Sequence, residues 1–152
     1  MLIKYLMVLG VAALPVLELR GAIPYGVAMD LPIPAVLAVS IIGNMIPVPF
    51  IIIFMRRILE WMKKKSVRLR NLAMKLEERA KKKGEILVKY ELLGLFILVA
   101  IPLPGTGAWT GSLIAALFRL RIKYAFPAIL GGVIAAGLIM SFLSYGVGWI
   151  LG

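Results

Sequence analysis

The chain has 152 residues, 62% of them hydrophobic, with a mean hydropathy of +0.99; soluble domains are about 45–50% apolar, and one this small cannot hide such an excess, so lipid must take it. It contains neither cysteine nor histidine, which excludes disulfides, thiolate metal sites and the usual general base. The net charge of +11 is concentrated, with 13 of the 18 Lys and Arg between Arg56 and Lys89, so it marks one loop and argues against nucleic-acid binding.

Met1 to Tyr5 and the apolar run to Leu17 have the outline of a signal peptide, but Glu18-Leu19-Arg20 stands where a small-x-small cleavage site would. The segment is therefore expected to remain in the mature protein. It opens the first apolar block, 5–29, which Pro15, Glu18, Arg20, Gly21 and Pro24 interrupt near its middle. The second block, 31–55, is long enough for the roughly 20 residues of a spanning helix. It runs from Asp30, expected outside, to Arg56-Arg57, expected inside.

Residues 56–89 form a basic stretch in which Met62, Leu69, Leu72, Ala73, Leu76 and Ala80 recur at helical spacing. That describes an amphipathic cytoplasmic helix. A straight helix over 56–80 would climb about 37 Å from the membrane. The few residues before the next apolar block cannot bring the chain back that far. The helix must lie along the headgroups or fold back near Ser66, with Gly84 as its stop.

The third block, 92–118, carries Pro102-Leu103-Pro104-Gly105-Thr106-Gly107 at its centre. Such a run removes backbone donors and helix propensity at the depth where lipid tolerates it least. Both ends of this block are basic, at Lys89 and at Arg119, Arg121 and Lys123, so it enters the membrane and returns. The fourth block, 124–152, leaves as a full span.

The halves align by eye, Ala13–Gly21 over Ala100–Ala108 and Pro34-Ala35 over Pro127-Ala128. The expected fold is all-α and membrane-integral, an inverted repeat of two halves. Residues 1–55 hold a re-entrant hairpin over 3–29 and a transmembrane helix over 33–57. Residues 56–89 are the basic linker, and 90–152 repeat the plan with a hairpin over 90–118 and a helix over 124–150. Secondary transporters share this plan, with broken helices meeting near the midplane.

Glu18 is an acid inside an apolar block, where an ionisable group reads by default as functional; it is the candidate for proton or ion coupling. Arg20 cannot shed its proton and suits a phosphate or carboxylate, unless it pairs with Glu18 at a non-helical tip. Gly105, Thr106 and Gly107 end one half-helix and start another, with Thr106 as the expected N-cap and the free amides as an anion site. Asn44 is expected to hydrogen-bond across helices to a broken tip. Trp109 and Ser112 are expected to line a cavity. No metal or cofactor is expected, and without an acid–base pair an enzyme is not expected either.

Three motifs occur in order: Glu18-Leu19-Arg20-Gly21-Ala22-Ile23-Pro24, Gly43-Asn44 with Pro47-Val48-Pro49, and Pro102 to Gly111. Together they resemble the signature of the small multidrug export protein family. The arrangement is similar, more distantly, to the DedA superfamily. That likeness implies re-entrant hairpins meeting at the midplane and translocation of phosphate-bearing lipids. DedA-like proteins carry an acid in the first hairpin, as Glu18 does here, and an arginine in the second, where this chain has none.

The expectation is a secondary transporter in the inner membrane, with 56–89 cytoplasmic. It moves an amphipathic drug or lipid-phosphate substrate, with Glu18 exchanging a proton and Arg20 and Thr106 holding a negative group. A thin four-block bundle around two tips is expected to form a homodimer among membrane lipids. The alternative is a non-transporting protein whose basic helix recruits a partner or anionic lipid.

Overall fold

The computed structural model describes residues 1–83, 91–103 and 106–151. Among them are eight α-helices and no strand. Helix α1 (Leu2–Ala13) ends because Leu14 precedes Pro15 and is forced into an extended conformation, φ −74° and ψ 139°. After a turn, α2 (Glu18–Ala28) runs back against α1. Pro32 and Pro34 then open α3 (Ile33–Met45), where missing N–H groups cost nothing. Helix α4 (Pro47–Lys65) follows with only Ile46 between, and the two form one apolar rod, Ile33–Lys65.

The rod is longer than the 33–57 span read from hydropathy, because basic residues 56–65 continue α4. Helix α5 (Val67–Lys83) then folds back along it. Ser66 makes the turn: its backbone is extended and its hydroxyl accepts the Leu69 N–H at 3.2 Å, an N-cap. Lys63 bridges to Glu77 at 2.7 Å across the pair, and Arg70 donates to the Lys63 carbonyl at 2.9 Å. Of the two geometries the sequence left open, the chain takes the fold-back. The stop expected at Gly84 lies outside the described residues.

Helix α6 (Glu91–Ala100) is followed by non-helical backbone over 101–103 and 106–107, then α7 (Ala108–Leu117) and the long α8 (Ile122–Leu151). In the first half α1, α2 and α3 all touch; in the second α6, α7 and α8 do. The halves also cross: α2 lies against α8, and α7 against α4.

Local hydrogen bonding repeats at a fixed spacing. Asp30 and Arg119 both take left-handed backbone, φ 59° and 53°. The N–H groups of Leu31 and Leu120 reach back to the carbonyls of Gly26 and Ala115. Helices α2 and α7 end at Ala28 and Leu117, and α3 and α8 begin at Ile33 and Ile122. Each of these pairs is 89 residues apart. At that spacing Pro34 falls over Lys123, whereas the alignment by eye sets it over Pro127.

Close approaches repeat too. A side chain at Gly43 would press on the Leu9 carbonyl and Ala12, and one at Gly132 on the Phe96 carbonyl and Val99. Small residues that let backbones approach are how helices associate in lipid, where tails are as apolar as Leu. Val8, Leu19, Ile23, Val36, Ile52, Leu95, Val99, Ile129 and Val133 fill the buried centre. Phe50, Phe54, Phe142 and Ile150 stand outward on the rods, up to 82% exposed, a surface suited to acyl chains and not to water.

Candidate functional site

The two interruptions of the apolar blocks meet. Glu18 begins α2 with left-handed backbone, φ 48°, a conformation costing about 1–2 kcal/mol for an L-residue. It turns the carboxylate away from its own helix and onto the start of α7. There Oε1 accepts the Trp109 N–H at 3.2 Å, and the positive end of the α7 dipole faces the charge. The residue is 4% exposed, and Oε2 has no hydrogen-bond partner.

Gly107 makes that approach possible. Its φ of 133° belongs to glycine, and any side chain there would collide with the Glu18 carboxylate. Glu18 and Gly107, which touch, are also 89 residues apart. Trp109 adds a second tie, its indole N–H donating to the Ala13 carbonyl at 3.2 Å.

Arg20 makes the complementary contact with the other side of the second interruption. Its guanidinium donates to the Leu103 carbonyl, to the Ile101 carbonyl at 3.0 Å and to the Thr106 hydroxyl at 2.8 Å. The Thr106 hydroxyl lies 2.8 Å from both carbonyls, so it accepts from Arg20 while donating to one of them. Carbonyls past the end of α6 carry the negative end of its dipole, and the planar fork of Arg reaches several at once. Acid thus meets a helix start and base a helix end.

A family model described as "Putative small multi-drug export protein" matches residues 18–139. The chain belongs to that family. The matched stretch begins at Glu18 itself and takes in the first apolar rod and the second as far as Ile139, and this export-protein membership with the rods makes it a membrane protein. No curated protein and no solved structure matches the chain.

Within this family member, several residues take roles other than those expected. Thr106 is not the N-cap of α7: Gly107 occupies that position with no side-chain cap, and Glu18 of the first hairpin supplies the oxygen instead. The anion at the helix start is therefore the chain's own carboxylate. Among the described ion pairs there is none between Glu18 and Arg20, because each has a better partner across the interface. Ser112 is buried and donates to the Ala108 carbonyl at 2.5 Å, a bond within its own helix that takes it out of any cavity. Gly105 lies outside the described residues.

Asn44 is fully buried, yet neither amide atom has a hydrogen-bond partner, contrary to the cross-helix bond expected. Its place follows from register. Helices α2 and α3 are antiparallel, and Val36 closes on Gly26. By that register Ser40 falls level with Ala22 one turn further along, and Asn44 level with Glu18 two turns along. Ser40 is equally buried and without a partner. No motif flags Ser40; only its place one turn before Asn44 does.

Glu18, Arg20, Thr106 and Thr110 line a cavity of about 470 Å³ with Pro15, Val16 and Pro102. Both hairpin turns contribute.

Proposed function

We propose that the protein is a proton-coupled exporter of amphipathic cations in the cytoplasmic membrane, built as an inverted repeat whose two re-entrant hairpins meet at the midplane. The observation that carries this reading is the buried Glu18 carboxylate of the cavity lining, held across the hairpin interface by one oxygen while the other, packed against Gly107, has no hydrogen-bond partner. A proton can add at Oε2 without breaking the bond from Trp109. Protonation removes the charge that attracts the α7 helix start and the nearby Arg20, and so weakens the hold between the halves.

The repeat is supported by the 89-residue spacing of the turns at Asp30 and Arg119, of the helix ends beside them and of the close-packed Gly43 and Gly132. Equivalent residues that touch, as Glu18 and Gly107 do, lie on the axis relating the halves. An in-plane axis there puts both turns at the midplane. Orientation follows from the basic end of α4 and from α5, which belong on the cytoplasmic side.

The substrate class follows from what is already occupied. Arg20 commits both terminal nitrogens to the Ile101 and Leu103 carbonyls and Thr106, leaving only a buried Nε, and Glu18 takes the α7 helix start, so neither offers an open donor to a lipid phosphate. The cavity lining sets the Glu18 carboxylate, one oxygen of which has no hydrogen-bond partner, beside the apolar Pro15, Val16 and Pro102, with Arg20, Thr106 and Thr110 completing it. That suits an amphipathic cation which exchanges with the proton, in keeping with the family's description.

The test is transport in liposomes under an imposed pH gradient, following a fluorescent lipophilic cation. Wild type is expected to move the dye and Glu18→Gln to fall to the protein-free rate. Equal rates for the two would remove Glu18 from coupling. Movement of a phospholipid analogue but not the cation would overturn the substrate class.

A further inference from the structure

Among the described residues, four buried side chains other than arginine carry polar atoms with no hydrogen-bond partner. They are Glu18 at Oε2, Asn44 at both amide atoms, and Ser40 and Ser141 at their hydroxyls. Each such group costs about 1–3 kcal/mol when left unpaired, and natural proteins break that rule chiefly where function needs it.

Their placement is one-sided. Val36 of α3 closes on Gly26 of α2, while Leu37 and Ile41 of α3 meet Gly137 of α8, which also touches Leu19 of α2. At about 100° per residue, Ser40 and Asn44 fall between those two faces of α3. They therefore point into the seam where α2, α3 and α8 converge. Helix α8 runs alongside α2 in the same direction, because Pro24 and Val27 share a cavity of about 430 Å³ with Met140 and Ser144, further along from Leu19 and Gly137. Ser141 follows Gly137 by one turn on the same face. From Glu18 and Asn44, at one level, the polar groups thus step through Ser40 and Ser141 toward the end of the bundle at Asp30, the outer end. On the cytoplasmic side of Glu18 the buried hydroxyl of Ser112 is already satisfied by the Ala108 carbonyl.

We infer that the seam between α2, α3 and α8 admits water from the outer end, past Ser141, Ser40 and Asn44, and that the proton exchanged at Glu18 travels along it. Hydroxyls and a side-chain amide both donate and accept, so they can anchor a chain of water molecules. A proton joins the outermost water oxygen, each oxygen passes one proton inward, and the last O–H bond forms at Glu18 Oε2. Water suits the seam better than a metal cation does, because Asn44 presents an unpartnered donor, Nδ2, beside its acceptor, and a cation satisfies oxygen alone. Helices α3 and α7 carry no titratable side chain, and Arg20 keeps its proton, so the route ends at Glu18. Water that comes and goes leaves these groups unsatisfied part of the time, a cost in stability carried for access. The inference deepens the coupling and orientation given under Proposed function and rests on them.

The sequence has two asparagines, Asn44 and Asn71, and no glutamine, so those two residues supply every side-chain amide. Solid-state NMR of the ¹⁵N-labelled full chain in lipid vesicles measures magnetisation transfer from water protons to each, with Asn71, exposed on α5, as the wet reference. Transfer to Asn44 at a rate of the same order as to Asn71 is expected. Val and Thr share a shape and differ by a hydroxyl, which supplies the second measurement. Ser40→Val and Ser141→Val are expected to lose dye transport driven by a pH gradient, and Ser40→Thr and Ser141→Thr to keep it. Absence of transfer to Asn44 overturns the route, and dye still moved by wild type then leaves the exporter reading standing. Equal transport by the Val and Thr variants at either serine overturns the route too, even with Asn44 wet. Wild type that moves no dye overturns the reading and the proton's part in the route together.

Discussion

Glu18 and Trp109, 91 residues apart in sequence, are joined by a 3.2 Å hydrogen bond from the Trp109 backbone amide to a buried carboxylate oxygen. The bond links the start of α2 to the start of α7, one helix from each hairpin. The matching bonds of Arg20 tie α2 to the carbonyls past α6. Two charges two residues apart thereby clasp both sides of the second interruption.

Gly107→Ala is expected to abolish this clasp. It forces an L-residue into left-handed backbone, costing about 1–3 kcal/mol, and drives a methyl group into the Glu18 carboxylate. Thermal unfolding in detergent should show a lower Tm, and dye transport should fall to background. Gly10→Ala is the contrast: nothing stands within 4 Å of the new methyl. Better helix propensity should make it neutral or stabilising by up to about 1 kcal/mol.

Arg20→Lys keeps the charge and loses the fork. An ammonium cannot reach the Ile101 and Leu103 carbonyls and Thr106 together with the same geometry, so one or more acceptors lose their donor. Each buried group left unpaired costs about 1–3 kcal/mol. A drop in Tm of the same sign as that of Arg20→Ala is expected, whereas a Tm equal to wild type would show that charge alone matters.

Asn44→Leu should separate stability from function. Removing an amide whose two ends are buried without partners relieves up to about 1–3 kcal/mol, so Tm rises. Transport falls, because the polar group level with Glu18 is gone. A lower Tm would mean that Asn44 has a partner in the membrane.

Ser66→Ala tests the fold-back of the basic helix. Loss of an N-cap costs about 0.5–2 kcal/mol, and α5 should lose its hold on α4 while the rods stay intact. Limited proteolysis should cut faster within 67–83, with dye transport little changed. Unchanged cutting would place the stability of that turn in the Lys63–Glu77 bridge instead.

The coarse plan was legible because it is written in local patterns. Runs of apolar residues near the length of a bilayer determine the two rods. Pro15, Pro102 and their glycine neighbours determine where the other two blocks break, since a ring without an N–H stops a helix wherever it occurs. Amphipathic spacing and the reach of an extended chain narrowed the basic segment to two geometries. Glu18 stood out because an acid in an apolar block needs a reason, whatever surrounds it.

Partners were another matter. Whether Glu18 would meet Arg20 or a helix start, and whether Thr106 would cap α7 or brace Arg20, depends on how residues 81 to 91 positions apart come together. The 89-residue spacing of the turns at Asp30 and Arg119 was equally hidden, because few identities mark it and the hydrogen bonds they share are invisible in one dimension. Composition and periodicity are properties of a segment, so the sequence determined by itself the membrane class, the rods and the breaks. A hydrogen bond between hairpins is a property of their packing, so only the tertiary structure decided which charge faces which helix end.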